Sequence, residues 1–328
     1  MKKYNLAIVG ATGMVGNKFL QVLEEKKLPV ENYYLFASAR SAGTKINLLG
    51  KELTVIELTP ENIKGKNIDF ALFSAGGTIS KEYAPLFVKE GAIVIDNSSC
   101  WRMEKDVPLV VPEVNGEEAF NNKGIIANPN CSTIQAVVPL KALHDKYKIK
   151  RVIFSTYQAV SGAGLQGYND LANGTMNKFI YPIKNNLIPH IDTFLPNGYT
   201  KEEWKMIEET KKILNDYSIK VTATTVRVPV FHGHSESVNL EFEKPCTLEG
   251  IKEALENMPG IIVLDNTAEN LYPMPIYAED KDEIFVGRIR IDDTVASGCN
   301  LWVVADNIRK GAATNTIQIA EYMIKHAK

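Results

Sequence analysis

Asn128-Pro-Asn-Cys-Ser-Thr133 sets a cysteine at the start of a helical stretch that runs to about Tyr147. The positive end of a helix dipole favours thiolate over thiol, so Cys131 is placed to act as a nucleophile. Cys100, Cys246 and Cys299 lack that setting and read as small buried hydrophobes. A cysteine nucleophile needs a base. Arg227-Val-Pro-Val-Phe-His-Gly-His-Ser-Glu236 holds two histidines, and His234, behind a glycine, is the better placed. If the strand runs straight, His232 and His234 share one face. A zinc pair is then the competing reading, but no third ligand is evident, and we expect no metal. In Tyr157-Gln-Ala-Val-Ser-Gly-Ala-Gly164 the glycines suggest backbone close to a ligand, and Gln158 is an uncharged donor for an oxyanion or acyl oxygen.

A second chemistry lies at the start of the chain. Gly10-Ala-Thr-Gly-Met-Val-Gly16 follows the apolar run Leu6–Val9 and opens a helix from Val15 to about Lys26. Glycines there permit a tight turn and close approach to a pyrophosphate, with free helix N–H groups supplying the donors. Gly10, Thr12, Gly13, Met14 and Val15 form this loop. A plain glycine-rich turn is the alternative, and the position after the first strand argues for the nucleotide. At the end of the second apolar run stands Ala37-Ser-Ala-Arg-Ser-Ala-Gly43, with Arg40 and Ser41 and no carboxylate. NAD binders place an acid there and NADP binders an arginine, so the expected cofactor is NADP(H). A solvated loop arginine is the competing reading of Arg40. Phe73-Ser-Ala-Gly-Gly77 is expected to border the cofactor.

The elements that must position these residues follow from periodicity. Buried strands at Leu6–Val9, Tyr33–Ala37, Asp69–Ser74 and Ile93–Asp96 alternate with other segments. That pattern predicts an α/β fold with an N-terminal, Rossmann-like, doubly wound parallel sheet over about residues 1–127. Further on, strands are expected at 152–160, 221–230, 237–242, 284–291 and 300–305, with alternation as in Asn239-Leu-Glu-Phe-Glu243. This fits a mixed or antiparallel sheet with one covered face, in a second α+β domain over 128–306. Helices are predicted at 248–257 and 307–325, and Pro139 should kink its helix or be absorbed near a turn.

Composition sets the outer limits. A chain of 328 residues fits two domains at roughly 150 residues each. A net charge of −2 gives no general attraction to nucleic acid or to an anionic membrane, so any anion is held by local arginines and lysines. The N-terminal apolar run is too short for a signal, no C-x-x-C pair is present and no apolar stretch reaches about 18 residues. The cytoplasm is therefore the expected location.

The stretches G-A-T-G-M-V-G, N-P-N-C-S-T, Y-Q-A-V-S-G-A-G and R-V-P-V-x-x-G-H-S-E, in this order, resemble those of aspartate-β-semialdehyde dehydrogenases over nearly the whole chain. The resemblance implies NADPH-dependent conversion of L-4-aspartyl phosphate to L-aspartate 4-semialdehyde through a thioester on Cys131. The product feeds lysine (through diaminopimelate), threonine, methionine and isoleucine. It implies His234 as acid–base catalyst and Gln158 as the residue positioning substrate and intermediate. Arg227 matches the arginine for the substrate α-carboxylate, and Glu202 the ligand for its amine. Arg102, in Asn97-Ser-Ser-Cys-Trp-Arg102, and Lys205 match the phosphate ligands. Ser161, Gly162 and Asn307 would complete the cofactor site. The resemblance also implies that the final helix, 307–328, returns to the first domain, and that the second domain carries a dimer interface, in a homodimer or homotetramer. Without it, Glu202 and Lys205 read as an i, i+3 pair on a surface helix. The rivals are N-acetyl-γ-glutamyl-phosphate reductase, a cysteine hydrolase without a dinucleotide site, and a non-catalytic NADP-binding paralogue.

Overall fold

The computed structural model of the protein describes residues 2–327. The chain divides into two compact units, one taking the chain up to Pro129 and again from Ala312, the other holding Asn130–Gly311.

The first unit is built on a six-stranded sheet, all parallel. Its strands are β1 (Tyr4–Val9), β2 (Val30–Ala37), β5 (Ile56–Glu57), β6 (Phe70–Phe73), β7 (Ile93–Asp96) and β8 (Ile125–Ala127), in the order β5-β2-β1-β6-β7-β8. β3 (Lys45–Leu48) and β4 (Lys51–Thr54) form a separate antiparallel hairpin. Both faces of the sheet are covered, as the continuous apolar runs require. Leu6, Ile8, Leu35, Leu72 and Ile95 face one cluster, Ala7, Val9, Phe36, Phe73 and Val94 the other. The helix Met14–Lys26 covers the first face with Phe19, Leu20, Val22 and Leu23. The helix Asn315–His326 joins that same core through Ile317, Ile319, Ala320 and Met323. On the opposite face Phe87 packs edge-on against Phe36 and Phe73, with ring centroids 5.6 and 5.2 Å away. Truncating a phenylalanine buried in this way costs about 3–5 kcal/mol.

The second unit carries a mixed sheet of β9 (Ile149–Gln158), β10 (Lys220–Arg227), β11 (His234–Phe242), β12 (Ile261–Val263), β13 (Ile284–Ile291) and β14 (Gly298–Ala305), in the order β10-β9-β11-β14-β13-β12. Its covered face takes Val152, Phe154, Thr156 and Gln158 from β9 and His234, Glu236, Val238 and Leu240 from β11. The helix Cys131–Tyr147 lies on that face, with Lys201–Leu214 and Leu248–Glu256 packed beside it. Pro139 is buried inside the Cys131–Tyr147 helix, which continues through it as one element. Among the described residues no helix is long and apolar enough to cross a membrane.

Two expectations need correction. The final segment is not one α-helix from 307. Arg309–Thr314 is a π-helical turn, in which the Gly311 N–H reaches the Asp306 carbonyl five residues back at 2.9 Å, and the α-helix proper begins at Asn315. His232 does not share the strand of His234: β11 begins at His234, and Gly233, at φ +83°, turns the chain just before it.

Candidate active site

Cys131 is the first residue of its helix, as the sequence suggests. Asn130 caps it: its Oδ1 accepts from the Ser132 and Thr133 N–H groups at 3.0 and 3.3 Å. Two buried glutamates from the neighbouring helix fix that cap. Glu209 accepts the Asn130 backbone N–H at 2.7 Å, and Glu202 accepts its side-chain amide at 2.9 Å. The sulfur is thereby held at the positive end of the helix dipole, a setting that stabilises negative charge.

His234 Nε2 lies 3.2 Å from Cys131 Sγ. The ring is oriented from behind, because Nδ1 accepts the Ala159 backbone N–H at 3.0 Å. An accepting Nδ1 assigns the proton of the neutral ring to Nε2, toward the sulfur. Burial pushes the His234 pKa well below the usual imidazole range, and the Arg227 guanidinium pushes it further. His232 sits apart, its ring against Tyr168 and its Nε2 3.9 Å from Glu279.

The strand register assembles the other groups. Arg227 pairs with Gln158 across β10 and β9, while Ser235 pairs with Tyr157, which brings His234 to the Gln158 end of β9. Gln158 Nε2 donates to Glu202 Oε1 at 3.2 Å and to Thr156 Oγ1 at 3.3 Å. Glu202 is thus a buried carboxylate rather than half of a surface ion pair; its Oε2 meets Lys205 Nζ at 3.1 Å, and that ammonium also meets Asp192 at 2.9 Å. Burial alone would raise the Glu202 pKa, but Lys205, Asn130 and Arg227 outweigh it and hold the group below the usual carboxylate range. Arg227 is buried, donates to the Ala159 carbonyl at 2.6 Å and leaves its Nε without a hydrogen-bond partner. An orphaned guanidinium N–H inside a protein is an opening for an acceptor supplied from outside. Gly162 packs directly over this pair: a Cβ there would stand 2.9 Å from Arg227 Nη1 and 3.2 Å from His234 Nε2. Ser161 Oγ accepts from Asn307 Nδ2 at 3.0 Å, and Asn307 Oδ1 accepts the Gly233 N–H at 3.0 Å. Cys131, His234, Gln158, Arg227, Glu202, Lys205, Ser161, Gly162 and Asn307 all belong to the second unit.

The remaining candidates belong to the first unit. Gly10, at φ +88°, cannot carry a side chain, since a Cβ would lie 2.5 Å from the Ser74 carbonyl; at Gly16 it would lie 2.1 Å from the Gly10 carbonyl. Gly13 is the helix N-cap, and no side chain satisfies the N–H groups of Met14 and Val15 there. β2 is the neighbour of β1, so its end lies beside this loop: the Gly10 and Ala11 N–H groups donate to the Phe36 carbonyl. Thr12 Oγ1 donates to Ser41 Oγ at 3.3 Å, and exposed Arg40 sits in the same turn. Arg102 is buried, donating to the carbonyls of Asn128 and Asn97 at 2.9 Å each.

Three residues of the second unit escape a reading of the sequence: Asn130, Glu209 and Glu236. Glu236 is fully buried with neither carboxyl oxygen hydrogen-bonded. Burial, and then the charge of Glu202, push its pKa well above the usual carboxylate range. The apolar alternation Val238, Leu240, Phe242 carries the inward phase back to Glu236, which is the signal that could have found it.

A dinucleotide-type parallel sheet, and a mixed-sheet unit that holds a helix-start cysteine beside a buried histidine, make up the architecture of a nicotinamide-dependent oxidoreductase. Residues 5–122 match the family model "Semialdehyde dehydrogenase, NAD binding domain", and residues 140–310 match "Semialdehyde dehydrogenase, dimerisation domain". Aspartate-semialdehyde dehydrogenase from Aquifex aeolicus is 58% identical, with 98% of each chain covered. The enzyme from Bacillus subtilis is 49% identical over 98% of this chain and 97% of its own. The crystal structure of aspartate semialdehyde dehydrogenase II from Vibrio cholerae, complexed with ASA, is 46% identical and superposes over the full length of both chains with a TM-score of 0.96. The chain belongs to the aspartate-semialdehyde dehydrogenase family.

Proposed function

We propose that the protein reduces L-4-aspartyl phosphate to L-aspartate 4-semialdehyde with NADPH, through a thioester on Cys131. The observation that carries this reading is the 3.2 Å approach of Cys131 Sγ to His234 Nε2 at a capped helix start, beside Arg227 with its unpartnered Nε. The Cys131 thiolate attacks the acyl carbon, the C–O bond to phosphate breaks, and inorganic phosphate leaves. The Arg227 fork takes the α-carboxylate and Glu202 the ammonium, which fixes the acyl carbon against sulfur. By the family resemblance, Arg102 and Lys205 are each a phosphate ligand. Gln158, anchored on Glu202 and Thr156, supports the thioester carbonyl. His234 presents its Nε2 proton to the sulfur and to the oxygen that develops charge as the thioester is reduced.

The first unit fits the dinucleotide: Gly10 and Gly16 let the loop fold tightly against the Ser74 and Gly10 carbonyls, and the uncapped helix start would offer its N–H groups to the phosphates. Gly10, Thr12, Gly13, Met14 and Val15 would hold the pyrophosphate, and Arg40 with Ser41 the 2′-phosphate. Ser161, Gly162 and Asn307 would hold the nicotinamide end. When bound, NADPH supplies the hydride. Aspartate-semialdehyde dehydrogenase from Candida albicans, 29% identical over 98% of this chain with a TM-score of 0.79, is solved with NADP. The same reading places the enzyme in the cytoplasm, in the biosynthesis of lysine, threonine, methionine and isoleucine. It makes the enzyme a homodimer or homotetramer formed through residues of the dimerisation-domain match.

The test is absorbance of NADPH formed in the reverse direction. Aspartate semialdehyde with phosphate and NADP should turn over, and N-acetylglutamate semialdehyde with phosphate should not. Turnover of the second substrate alone assigns the protein to the N-acetyl-γ-glutamyl-phosphate reductases, and failure of both overturns the reading.

A further inference from the structure

Cys131 and His234 stand on different elements, a helix start and a strand start, yet only 3.2 Å separates their reacting atoms. A short segment touches the surroundings of both. β14 ends at Ala305, which pairs directly with His234. Asp306 follows, and its Oδ1 accepts the N–H groups of Ile308 and Arg309 at 2.8 and 2.9 Å, while its Oδ2 accepts the Asp280 N–H at 2.9 Å. Asn307 then holds the Gly233 N–H at 3.0 Å, immediately before His234.

The segment goes on into the π-helical turn, closed by the Gly311 N–H on the Asp306 carbonyl at 2.9 Å. A π turn carries one residue more than an α turn and bulges outward, and such turns recur at functional sites. Here the wider turn sets Gly311 against the nucleophile. A Cβ at Gly311 would lie 2.9 Å from Cys131 Cβ and 3.2 Å from both the Cα and the carbonyl oxygen of Cys131. Gly311 does not have a positive φ. Its missing side chain is therefore demanded by proximity to Cys131 rather than by backbone conformation. The atoms it would meet are backbone and Cβ, which cannot rotate away.

We propose that the Asp306–Gly311 turn is a positioning element that sets the Cys131 sulfur against His234, with Gly311 as the seat of the nucleophile. Asp306 closes the turn, Asn307 holds the histidine end and Gly311 abuts the cysteine end. The proposal rests on the thioester reading for its catalytic meaning, but the seat itself is a property of the thiol and is read without turnover.

The decisive variants are Gly311→Ala and Asp306→Asn in the full-length protein. Iodoacetamide alkylation of Cys131 is followed by peptide mass at neutral pH, alongside kcat and KM for the semialdehyde. Gly311→Ala should slow both alkylation and kcat by about 10- to 100-fold, the range expected for displacement of a reacting atom by about 1 Å, with KM within about twofold. Asp306→Asn, which replaces the acceptor of the Asp280 N–H by a donor and so loosens the anchoring of the turn without adding atoms near Cys131, should slow alkylation about threefold or more. A folded Gly311→Ala protein alkylated at the wild-type rate overturns the proposal, whatever its turnover. If Gly311→Ala does not fold, Asp306→Asn decides: slowed alkylation supports the seat, and an unchanged rate overturns it. A wild-type protein that lacks turnover but shows the alkylation differences would remove the thioester reading and leave the seat standing.

Discussion

The two units present their candidate ligand-binding groups in opposite ways. At the β1 and β2 ends of the first unit the surface is main chain and small side chains. Gly10 and Gly16 are required by contacts with backbone atoms, and Thr12 and Arg40 are exposed. In the second unit the corresponding surface is ionisable side chains withdrawn from water: Glu202, Arg227, His234 and Glu236 are all buried. A backbone site is specified by what a residue lacks, and its polar groups remain solvated until a ligand comes. A buried ionic site must satisfy its own charges first, and the atoms left unsatisfied, such as Arg227 Nε, mark where a ligand's charge is wanted.

Four experiments test that contrast, the largest effect first. Cys131→Ala should remove turnover by at least about 10⁴-fold, as loss of a covalent nucleophile does, while NADP affinity changes little. Substantial residual turnover would sink the thioester chemistry. His234→Asn should lower kcat by about 10²–10⁴-fold with the semialdehyde KM nearly unchanged. A variant whose main defect is in KM would show instead that the ring is a binding group. Arg40→Ala probes the exposed side. Loss of a charge-assisted contact worth about 1.5–3 kcal/mol should weaken NADP by about ten- to a hundredfold and leave NAD almost untouched. Equal losses for both dinucleotides would mean that Arg40 does not read the 2′-phosphate.

The smallest effect concerns Glu236, and its sign is fixed by the direction of its shift. Burial, then Glu202, raise its folded pKa above the ordinary glutamate value. Such a group contributes stability that is fully present below the ordinary value and is lost as pH rises through the folded one. Glutamine does not titrate. Melting curves of Glu236→Gln and wild type, taken from about pH 5 to about pH 9, should therefore shift in favour of the variant as pH rises. Curves that stay parallel would mean that the carboxyl is not held neutral.

The same contrast explains what was legible in the amino-acid sequence. The glycine loop and β1, β2, β6 and β7 could be read because apolar runs and glycine punctuation are local signals. β8 and β12 span three residues each, and β5 only two, too short for any periodicity to register. His232 lies off the strand of His234 because Gly233 turns the chain, something a strand pattern does not encode. Cys131 was visible from its helix start, but the residues that hold it were not. Asn130 meets Glu209, 79 positions away in sequence, and such pairings are set by the packing of two helices. The helical final segment was foreseen, but its π turn was not, because the extra residue answers to Asp306 and to the nearness of Cys131 rather than to any propensity in Arg309–Thr314.

The helix Asn315–His326 contributes Ile317, Ile319, Ala320 and Met323 to the core that Leu6, Ile8 and Phe19 begin. One hydrophobic core is therefore written at two places in the message, separated by the whole of Asn130–Gly311. On the ribosome the second unit is contiguous and is complete once residue 311 has emerged. The parallel sheet, although its strands are translated first, waits with part of one face uncovered until the return segment arrives. The usual order of closure during synthesis, in which the N-terminal domain folds first, is thus reversed in this chain. That apolar face stays open for the time taken to translate everything between Pro129 and Ala312.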